Sequence, residues 1–292
     1  MTKLSGFVNI IKPTGVTSFD VVSKVKKTLG TKKVGHLGTL DPAAAGVLPI
    51  AVGKATKFFD YFLTKDKCYT AVVKFGIETD TLDSFGNITN KDNIQVSKEQ
   101  IKLVLPEFIG EIEQIPPKYS ALKVNGKKAC DLMRNNVEFE LKPRKTTIFD
   151  IKLEENCDKN IFIFRVHCSA GTYIRTLFSD ISKKLGTCAT TIAIIRTKSG
   201  RFDLTNAITI EELNSQNQII PIDVLFKDLK KINVTSSSLS KKLLNGVKVN
   251  STELDIADNY KDNFFIYINN KLLGMYKIVN KQIECIVYLY EE

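Results

Sequence analysis

Helical and strand-like hydrophobic patterns alternate along the first 230 residues, and this alternation limits the chain to folds that combine both elements. Residues 18–29 repeat apolar side chains at helical spacing, with Ser18 as a candidate N-cap and Gly30 as the stop. Residues 161–168 are typical of a strand, and residues 173–185 return to the helical period. No regular βαβ repeat joins the segments, so we predict an α+β domain rather than a doubly wound parallel sheet.

Two segments between residues 30 and 160 also have patterns that indicate where an element begins or ends. Residues 68–77 alternate in the manner of a half-buried strand. Ser97 and Gln100 form a capping box in front of a helical period. Pro106 lies inside that period, and we expect it to kink or shorten the helix because it cannot donate a backbone hydrogen bond.

The composition changes after Pro221, where the tail becomes rich in β-forming residues. Three β-rich runs, at 264–268, 272–278 and 283–289, are separated by one asparagine pair and one Asn-Lys step, which suit tight turns. We therefore predict two domains, with a larger one at 1–229 and a small β-rich one at 230–292.

The chain is basic, with 42 lysines and arginines against 32 acids and a formal net charge of +10. Residues 230–292 contain nine lysines and seven acids, so most of the excess belongs to the larger domain. Such an excess is either a lysine-rich composition spread over solvated surfaces or the footprint of a polyanionic partner. Composition alone leaves both alternatives open.

Residues 118–145 differ from their surroundings because they contain eight basic residues and show weak periodicity. Asn125-Gly126 marks a turn within this segment. One interpretation is a solvated loop with a short helix. The other is a positively charged arm that closes on a phosphate backbone, since connections this long are usually functional.

The cysteine and histidine pattern gives little support for metal or disulfide chemistry. No two of the six cysteines are closer than 11 positions, and the histidines are His36 and His167. Zinc sites need closely spaced ligand pairs, and disulfide frameworks belong to small secreted domains. We also find no apolar run near the roughly 20 residues of a membrane span and no leader-like N-terminus, so we expect a cytoplasmic protein.

The densest segment is residues 35–49, GHLGTLDPAAAGVLP, in which glycines and prolines surround one acid. Pro42 biases Asp41 toward an extended conformation, and the small side chains that follow leave room beside it. An isolated acid in such a loop is a candidate nucleophile or general base. The alternative is an Asp-Pro pair that only forms a turn.

Segment 35–49 closely resembles the signature of the B-type tRNA pseudouridine synthases, the TruB family. Other blocks between residues 12 and 200 resemble motifs of that family in the same order: KPTGVTS at 12–18, KCY at 67–69, TDT at 79–81 with Asp83 and Gly86, PPKYSALK at 116–123, GTYIRTL at 171–177 and RTKSG at 196–200.

The resemblance implies a pseudouridine synthase fold with a mainly antiparallel mixed sheet, followed by a small PUA-like β-barrel. It implies that a uridine in the T loop of tRNA, at the position conventionally numbered 55, is flipped out of the stack. The glycosidic C–N bond is then broken, the base rotates, and a C–C bond to C5 forms. The implied enzyme uses no cofactor and no metal, and it acts on tRNA. We expect a monomer without an obligatory protein partner, since nothing in the sequence demands more.

The resemblance also assigns the site residue by residue. Asp41 matches the catalytic aspartate, which either attacks the nucleoside covalently or deprotonates the sugar. Arg175 matches the arginine that pairs with it and aims the carboxylate. Tyr69 matches the tyrosine that stacks on the flipped base, Tyr173 matches a second tyrosine of the pocket, and Ile194 stands where an aliphatic residue covers the base.

Further positions are implied less directly. His36 matches a histidine that contacts the flipped nucleotide, although a lone histidine is more often structural. Lys123, Lys127 and Lys128 lie in the charged arm, which inserts into RNA in this family, so we expect them to contact the RNA backbone. Ala170 stands where bacterial members commonly have a lysine, and a phosphate contact is expected to be absent there.

Two other functions remain open at this level. The first is the guide-RNA-dependent rRNA enzyme of the same lineage, which needs partner proteins and a larger C-terminal part. The second is a non-catalytic module that binds or folds tRNA. Intact matches at Asp41, Arg175 and Tyr69 argue against the second, and the short tail argues against the first.

Overall fold

The computed structural model describes residues 4–135, 137–214 and 218–290. The strands of these residues are β1 Gly6–Lys12, β2 Val34–His36, β3 Ala45–Val52, β4 Lys67–Phe75, β5 Ile77–Thr79, β6 Ile88–Lys91, β7 Gly110–Gln114, β8 Lys123–Val124, β9 Lys127–Lys128, β10 Arg144–Asp158, β11 Ile161–Cys168, β12 Ala189–Ser199, β13 Phe202–Asp203, β14 Ile208–Thr209, β15 Lys230–Val234, β16 Phe264–Ile268, β17 Lys271–Val279 and β18 Gln282–Tyr288. The α-helices are α1 Ser18–Leu29, α2 Phe59–Leu63, α3 Lys98–Val104, α4 Ala129–Arg134, α5 Ile174–Lys184, α6 Ile222–Leu225 and α7 Ser237–Leu244, and short 3₁₀ turns cover Gly53–Phe58, Leu105–Phe108, Leu204–Asn206 and Ser251–Leu254.

The main sheet has the strand order β14-β1-β3-β12-β4-β11-β10-β7, with β2 added to β3 and β13 to β12. Only the β1–β14 and β3–β12 ladders of this sheet are parallel among the described residues. The predicted α+β class with a mainly antiparallel sheet is therefore confirmed. The parallel β3–β12 step brings Gly46 beside Arg196, which matters for the site.

Helix α1 begins one residue away from the predicted cap. The Thr17 hydroxyl accepts a hydrogen bond from the backbone N–H of Asp20 at 3.1 Å, and the Asp20 carboxylate accepts one from the Thr17 N–H. The prediction that Ser18 is the N-cap was wrong, because the Ser18 side chain forms its hydrogen bonds with the Leu40 backbone instead. Gly30 ends the helix in the left-handed conformation, as predicted.

Other local predictions are confirmed with small shifts. Ser97 and Gln100 form the capping box of α3, and Pro106 limits the helix to Val104 before a 3₁₀ turn. Strand β4 ends at Phe75 rather than at position 77, because Gly76 takes a positive φ of 84° and breaks the extended conformation.

The core of the main domain lies on one face of the sheet, beneath α1 and α5. Helix α1 contributes Val21, Val22 and Val25, and α5 contributes Leu177 and Phe178. These side chains are at most 4% exposed, so both helices are fixed on the face that carries the site. None of the helices in the described ranges is long and apolar enough to cross a membrane.

The tail forms a second sheet, β15-β16-β17-β18, in which β15 runs parallel to β16. Its two hairpins turn at Asn269-Asn270 and Asn280-Lys281, and all four residues have positive φ angles, as the predicted tight turns require. No ladder joins β15 to β18 within the described residues, so the C-terminal unit is a four-stranded sheet rather than a closed barrel.

An aromatic cluster joins the two sheets. Phe7 of β1, Phe58 and Phe226 pack in the same buried group as Phe265 and Met275 of the second sheet. The Phe226 and Phe265 rings meet edge to face with centroids 5.7 Å apart. The predicted boundary at residue 230 therefore separates two sheets that contribute side chains to the same buried apolar cluster.

Candidate active site

The loop that carries Asp41 connects β2 to β3, and a buried arginine of β12 holds it in place. The Arg196 guanidinium is 1% exposed and donates to the backbone carbonyls of Val47, Thr39 and Gly38 at 2.8, 3.0 and 3.1 Å. Gly46 lets β3 approach this arginine, because a Cβ at that position would lie 2.3 Å from the Arg196 carbonyl oxygen. Arg196 thus holds the loop through its backbone carbonyls.

The residues on both sides of Asp41 are tied to the N-terminal segment. The Ser18 hydroxyl donates to the Leu40 carbonyl at 3.0 Å and accepts from the Leu40 N–H at 2.9 Å. The Pro42 carbonyl accepts from the Gly15 N–H at 2.9 Å and from Lys12 Nζ at 3.4 Å. These bonds fix the backbone immediately before and after the acid.

Lys12 is fully buried and donates to the carbonyls of Pro13 and Val16 at 2.7 and 2.9 Å. Burial, which disfavours the charged ammonium, lowers the pKa of Lys12 to about 8, although the nearby Asp41 carboxylate opposes the shift. Lys12 is therefore a buried support of the Asp41 loop.

Arg175, near the start of α5, connects Asp41 to the rest of the site. Its Nη2 donates to Asp41 Oδ2 at 2.6 Å and to the Tyr119 carbonyl at 3.1 Å. Its Nη1 donates to the Thr81 carbonyl at 2.8 Å and lies 3.5 Å from Asp83 Oδ2. The Arg175 side chain is 3% exposed and the Asp41 side chain is 35% exposed, so a buried cation presents the acid toward solvent.

Asp83 is itself held in place by the loop that follows β5. Its Oδ1 accepts from the Thr81 hydroxyl at 2.7 Å and from the Phe85 N–H at 3.0 Å. Asp83 is a position of the TDT motif block, and no role was predicted for it from the sequence. Its place in the TDT block was the signal that could have identified it.

Tyr69 and Ile194 lie on neighbouring strands. Ladder β4–β12 places Tyr69 opposite Arg196 and Ile194 opposite Ala71, and both side chains are at most 9% exposed. Burial raises the pKa of Tyr69 to about 12, because the phenolate would lose its hydration. The Tyr69 hydroxyl is therefore protonated at neutral pH.

Tyr173 is the residue in front of α5, and Gln114 of β7 holds its backbone. The Tyr173 N–H donates to Gln114 Oε1 at 3.0 Å, and Gln114 Nε2 donates to the Tyr173 carbonyl at 3.3 Å. Burial raises the pKa of the Tyr173 phenol, and the negative charge of Asp41 adds to the shift. Gln114 was not found from the sequence, because no local pattern marks it.

These side chains meet in one cleft of about 490 Å³, a size within the usual range of small-ligand sites. Asp41, Tyr69, Tyr173, Arg175 and Ile194 all line it. The cleft is also lined by Ala121, Leu122, Lys67, Ala170 and Arg196. Five of the six predicted residues around the base are thus brought together.

His36 is the predicted site residue that does not line this cleft. It lies on β2 opposite Ile50, and its Nδ1 is buried with no hydrogen-bond partner among the described residues. Burial lowers the pKa of His36, so the ring is neutral at pH 7. A contact between His36 and a nucleotide stays a prediction. His167 lies elsewhere, paired with Asp66 at 2.7 Å.

The predicted arm borders the cleft with a small hairpin. Strands β8 and β9 pair around the predicted turn, in which Asn125 and Gly126 have φ angles of 50° and 83°. Lys123, Lys127 and Lys128 are exposed on this hairpin, and none of them forms an ion pair with a residue that the structure describes. The arm is therefore a short hairpin and helix with free cations beside the cleft.

Known proteins resemble this chain in sequence. The family model described as "TruB family pseudouridylate synthase (N terminal domain)" matches residues 26–174. The proteins named tRNA pseudouridine synthase B of Clostridium kluyveri and Clostridium acetobutylicum are 43% and 44% identical, and each alignment covers 93% of this chain and 95% of the relative.

A solved structure titled as a Cbf5-Nop10-Gar1 complex contains a chain with a TM-score of 0.69 and 27% identity. The alignment covers 98% of this chain and 84% of that one. A second, described as an H/ACA RNP bound to a substrate RNA containing 2'-deoxyuridine, also gives a TM-score of 0.69. At 24% identity, that likeness concerns the fold alone.

Proposed function

The chain belongs to the TruB family of pseudouridylate synthases, and from that premise we propose that it converts uridine to pseudouridine at the T-loop position conventionally numbered 55. The enzyme is an isomerase that acts on tRNA, in keeping with relatives that align over nearly its whole length. The observation that carries the proposal is the Asp41–Arg175 pair, 2.6 Å apart, at a cleft lined by Tyr69, Tyr173 and Ile194.

The reaction breaks the bond between C1' of the ribose and N1 of uracil and forms a bond between C1' and C5. The C5 hydrogen is lost as a proton and N1 gains one, so the product is an isomer and nothing else is consumed. Asp41 begins this sequence in one of two ways. It attacks the nucleoside covalently, or it removes a proton from the sugar.

The neighbours of Asp41 have separate roles in the proposal. Arg175 holds the Asp41 carboxylate in position and aims it, because a guanidinium holds a carboxylate in a fixed direction. Tyr69 stacks on the extruded uracil, and its hydroxyl relays the C5 proton by accepting it while passing its own proton on to solvent. Tyr173 and Ile194 confine the base from the sides. The burial of Tyr69 and Ile194 and the cleft that all three residues line support these assignments.

Reaching the uridine requires that the nucleotide leave its stack, which costs a few kcal/mol. We assign the RNA contacts that offset this cost to the arm at 118–145. We assign contacts with the remainder of the tRNA to the unit at 230–292. We also propose a monomer that works in the cytoplasm on the T arm, with no obligatory protein partner. The free cations of the arm beside the cleft support its part in this.

The guide-dependent alternative has one observation in its favour, the likeness to a chain from a Cbf5-Nop10-Gar1 complex. Against it, the relatives that share 43% and 44% identity over 93% of this chain are named for tRNA. We therefore prefer the stand-alone tRNA enzyme. The non-catalytic module is disfavoured by the intact Asp41–Arg175 pair.

The test is incubation of the purified full-length protein with an unmodified tRNA transcript, followed by mapping of pseudouridine. The expected result is conversion at position 55 without guide RNA or partner proteins, and none in a transcript with cytidine at that position. Conversion only after addition of a guide RNA would favour the rRNA enzyme. Binding without any conversion would favour the non-catalytic module.

A further inference from the structure

A second basic surface lies at the far end of α1. Residues 24–33, KVKKTLGTKK, contain five lysines and no acid. Lys24, Lys27, Lys32 and Lys33 are exposed, and we call these four the α1 track. These ten residues therefore carry five positive charges, which equals half of the net charge of +10 of the whole chain.

The lysines of the α1 track differ from many others on the surface. Lys145, Lys184 and Lys242 form ion pairs with glutamates at 2.7–2.9 Å. In the part of the chain that the structure describes, no lysine of the α1 track has an acidic partner. Unpaired cations in a cluster repel each other. Binding to a polyanion relieves that repulsion, and the lysines release the counterions condensed on its phosphates.

The N-terminal end of α1 is hydrogen-bonded to the candidate active site. The first residue of α1, Ser18, makes the two hydrogen bonds to Leu40, directly beside Asp41. Phe19 follows it and is 67% exposed, more than any other aromatic side chain in the part of the chain that the structure describes. Phe19, Ser23 and Lys27 recur every four residues and share one helix face, so this face connects the Ser18 end of α1 to Lys27, one lysine of the track.

We propose that this face of α1 is a second RNA-binding surface of the enzyme. Phe19 stacks on an unpaired base beside the cleft, and the α1 track contacts phosphates farther along the strand. The helix has 12 residues, so the contacts extend about 18 Å from the cleft. The proposal rests on the proposed function, since it takes tRNA as the polyanion.

The position of the surface favours RNA over an acidic protein or a membrane. The hairpin of the arm, with Lys123 and Lys127, borders the same cleft through Ala121 and Leu122. Helix α1 borders it through the Asp41 loop. One chain of phosphates that crosses the cleft can therefore meet both groups of lysines, and a base stacked on an exposed ring is typical of single-stranded nucleic-acid sites.

The test compares the full-length protein with the K24Q/K27Q/K32Q/K33Q variant in binding to unmodified tRNA at several salt concentrations. We expect the slope of log affinity against log salt to become shallower by about 0.7–0.9 for each lost contact. We expect affinity at low salt to fall by roughly tenfold or more. A slope equal to that of wild type overturns the proposal.

The matched control is K91Q/K98Q/K102Q/K159Q, which removes the same charge from exposed lysines. Lys98 and Lys102 lie on α3, which packs against β10, four strands away from β3 in the sheet. We expect this variant to keep the wild-type slope. An equal loss in both variants would mean that only net charge matters, and it would overturn the α1 track.

Phe19→Leu and Phe19→Tyr test the stacking residue. The leucine keeps apolar surface but lacks the ring, so we expect binding to weaken about fivefold or more, whereas tyrosine keeps wild-type affinity. Leucine with wild-type affinity overturns the role of Phe19. Pseudouridine formation by the wild type is measured in parallel, so a failed function and a failed RNA surface give different results.

Discussion

Arg175 Nη2 lies 2.6 Å from Asp41 Oδ2, although the two residues are separated by 134 positions in the sequence. The same guanidinium also bonds to two backbone carbonyls and lies 3.5 Å from Asp83. Four partners around one planar cation leave it little freedom to rotate. The direction of the Asp41 carboxylate is therefore set by Arg175.

Arg175→Lys should fold and bind tRNA but lose most of its turnover. A lysine has one nitrogen and cannot serve four partners in a plane, so the carboxylate loses its fixed direction. A small misplacement of a reacting group costs on the order of 100-fold in rate. Single-turnover pseudouridine formation measures the effect, with tRNA affinity as the control. A rate within about threefold of wild type would remove Arg175 from its role.

Tyr69→Phe should bind tRNA with wild-type affinity and fail in turnover. The phenylalanine keeps the ring that stacks on the base and removes the hydroxyl that we assign to the C5 proton. Tyr69→Leu should also bind more weakly, since an aromatic face contributes about 1–3 kcal/mol per stacked base. Affinity and single-turnover rate are measured for both variants. Equal weakening of binding in both would mean that Tyr69 is not on the base.

The lysines of the arm should contribute salt-dependent affinity rather than base specificity. K123Q/K127Q/K128Q is expected to weaken tRNA binding and to lower the salt slope by about 0.7–0.9 per lost phosphate contact. K91Q/K98Q/K102Q has the same loss of charge on another surface and serves as the control. A salt slope that does not change would assign residues 118–145 to a merely solvated segment.

Lys12 should make stability depend on pH above neutrality. Its folded pKa of about 8 lies below the ordinary value of 10.5, so between these values the unfolded state binds more protons. Wild type should therefore gain stability relative to Lys12→Met as the pH rises from 8 to 10.5, by up to about 1.4 kcal/mol per unit. Urea unfolding of both proteins measures this gain.

An exposed lysine provides the comparison for that experiment. Lys102→Met should follow the wild-type stability curve at every pH, because Lys102 is exposed on α3, away from the Asp41 loop. Parallel curves for wild type and Lys12→Met would contradict the buried charge beneath the Asp41 loop.

Local signals in the sequence predicted most of the elements. Strand β11 has the predicted bounds, Ile161–Cys168, and the Ser97–Gln100 box begins α3. The cap of α1 was misplaced because both Thr17 and Ser18 can cap a helix. The choice depends on a contact between Ser18 and Leu40, 22 residues away, and such contacts do not appear in local patterns.

The site was predictable only in part, for a similar reason. Asp41 stood out locally, but its pairing with Arg175 came from the family resemblance. Arg196 was quoted in a motif without a role, since its partners lie about 150 residues away across the parallel β3–β12 ladder. His36 was assigned from the family resemblance alone, and its contact with a nucleotide stays a prediction.

The central claim is that Asp41 performs the chemistry, and the most direct measurement is single-turnover pseudouridine formation by Asp41→Asn on a tRNA transcript that it binds. The amide keeps the shape of the carboxylate but is neither an anionic nucleophile nor a base. We predict wild-type tRNA affinity and no detectable pseudouridine at position 55. A rate within about tenfold of wild type, a barrier change of only about 1.4 kcal/mol, would contradict the account.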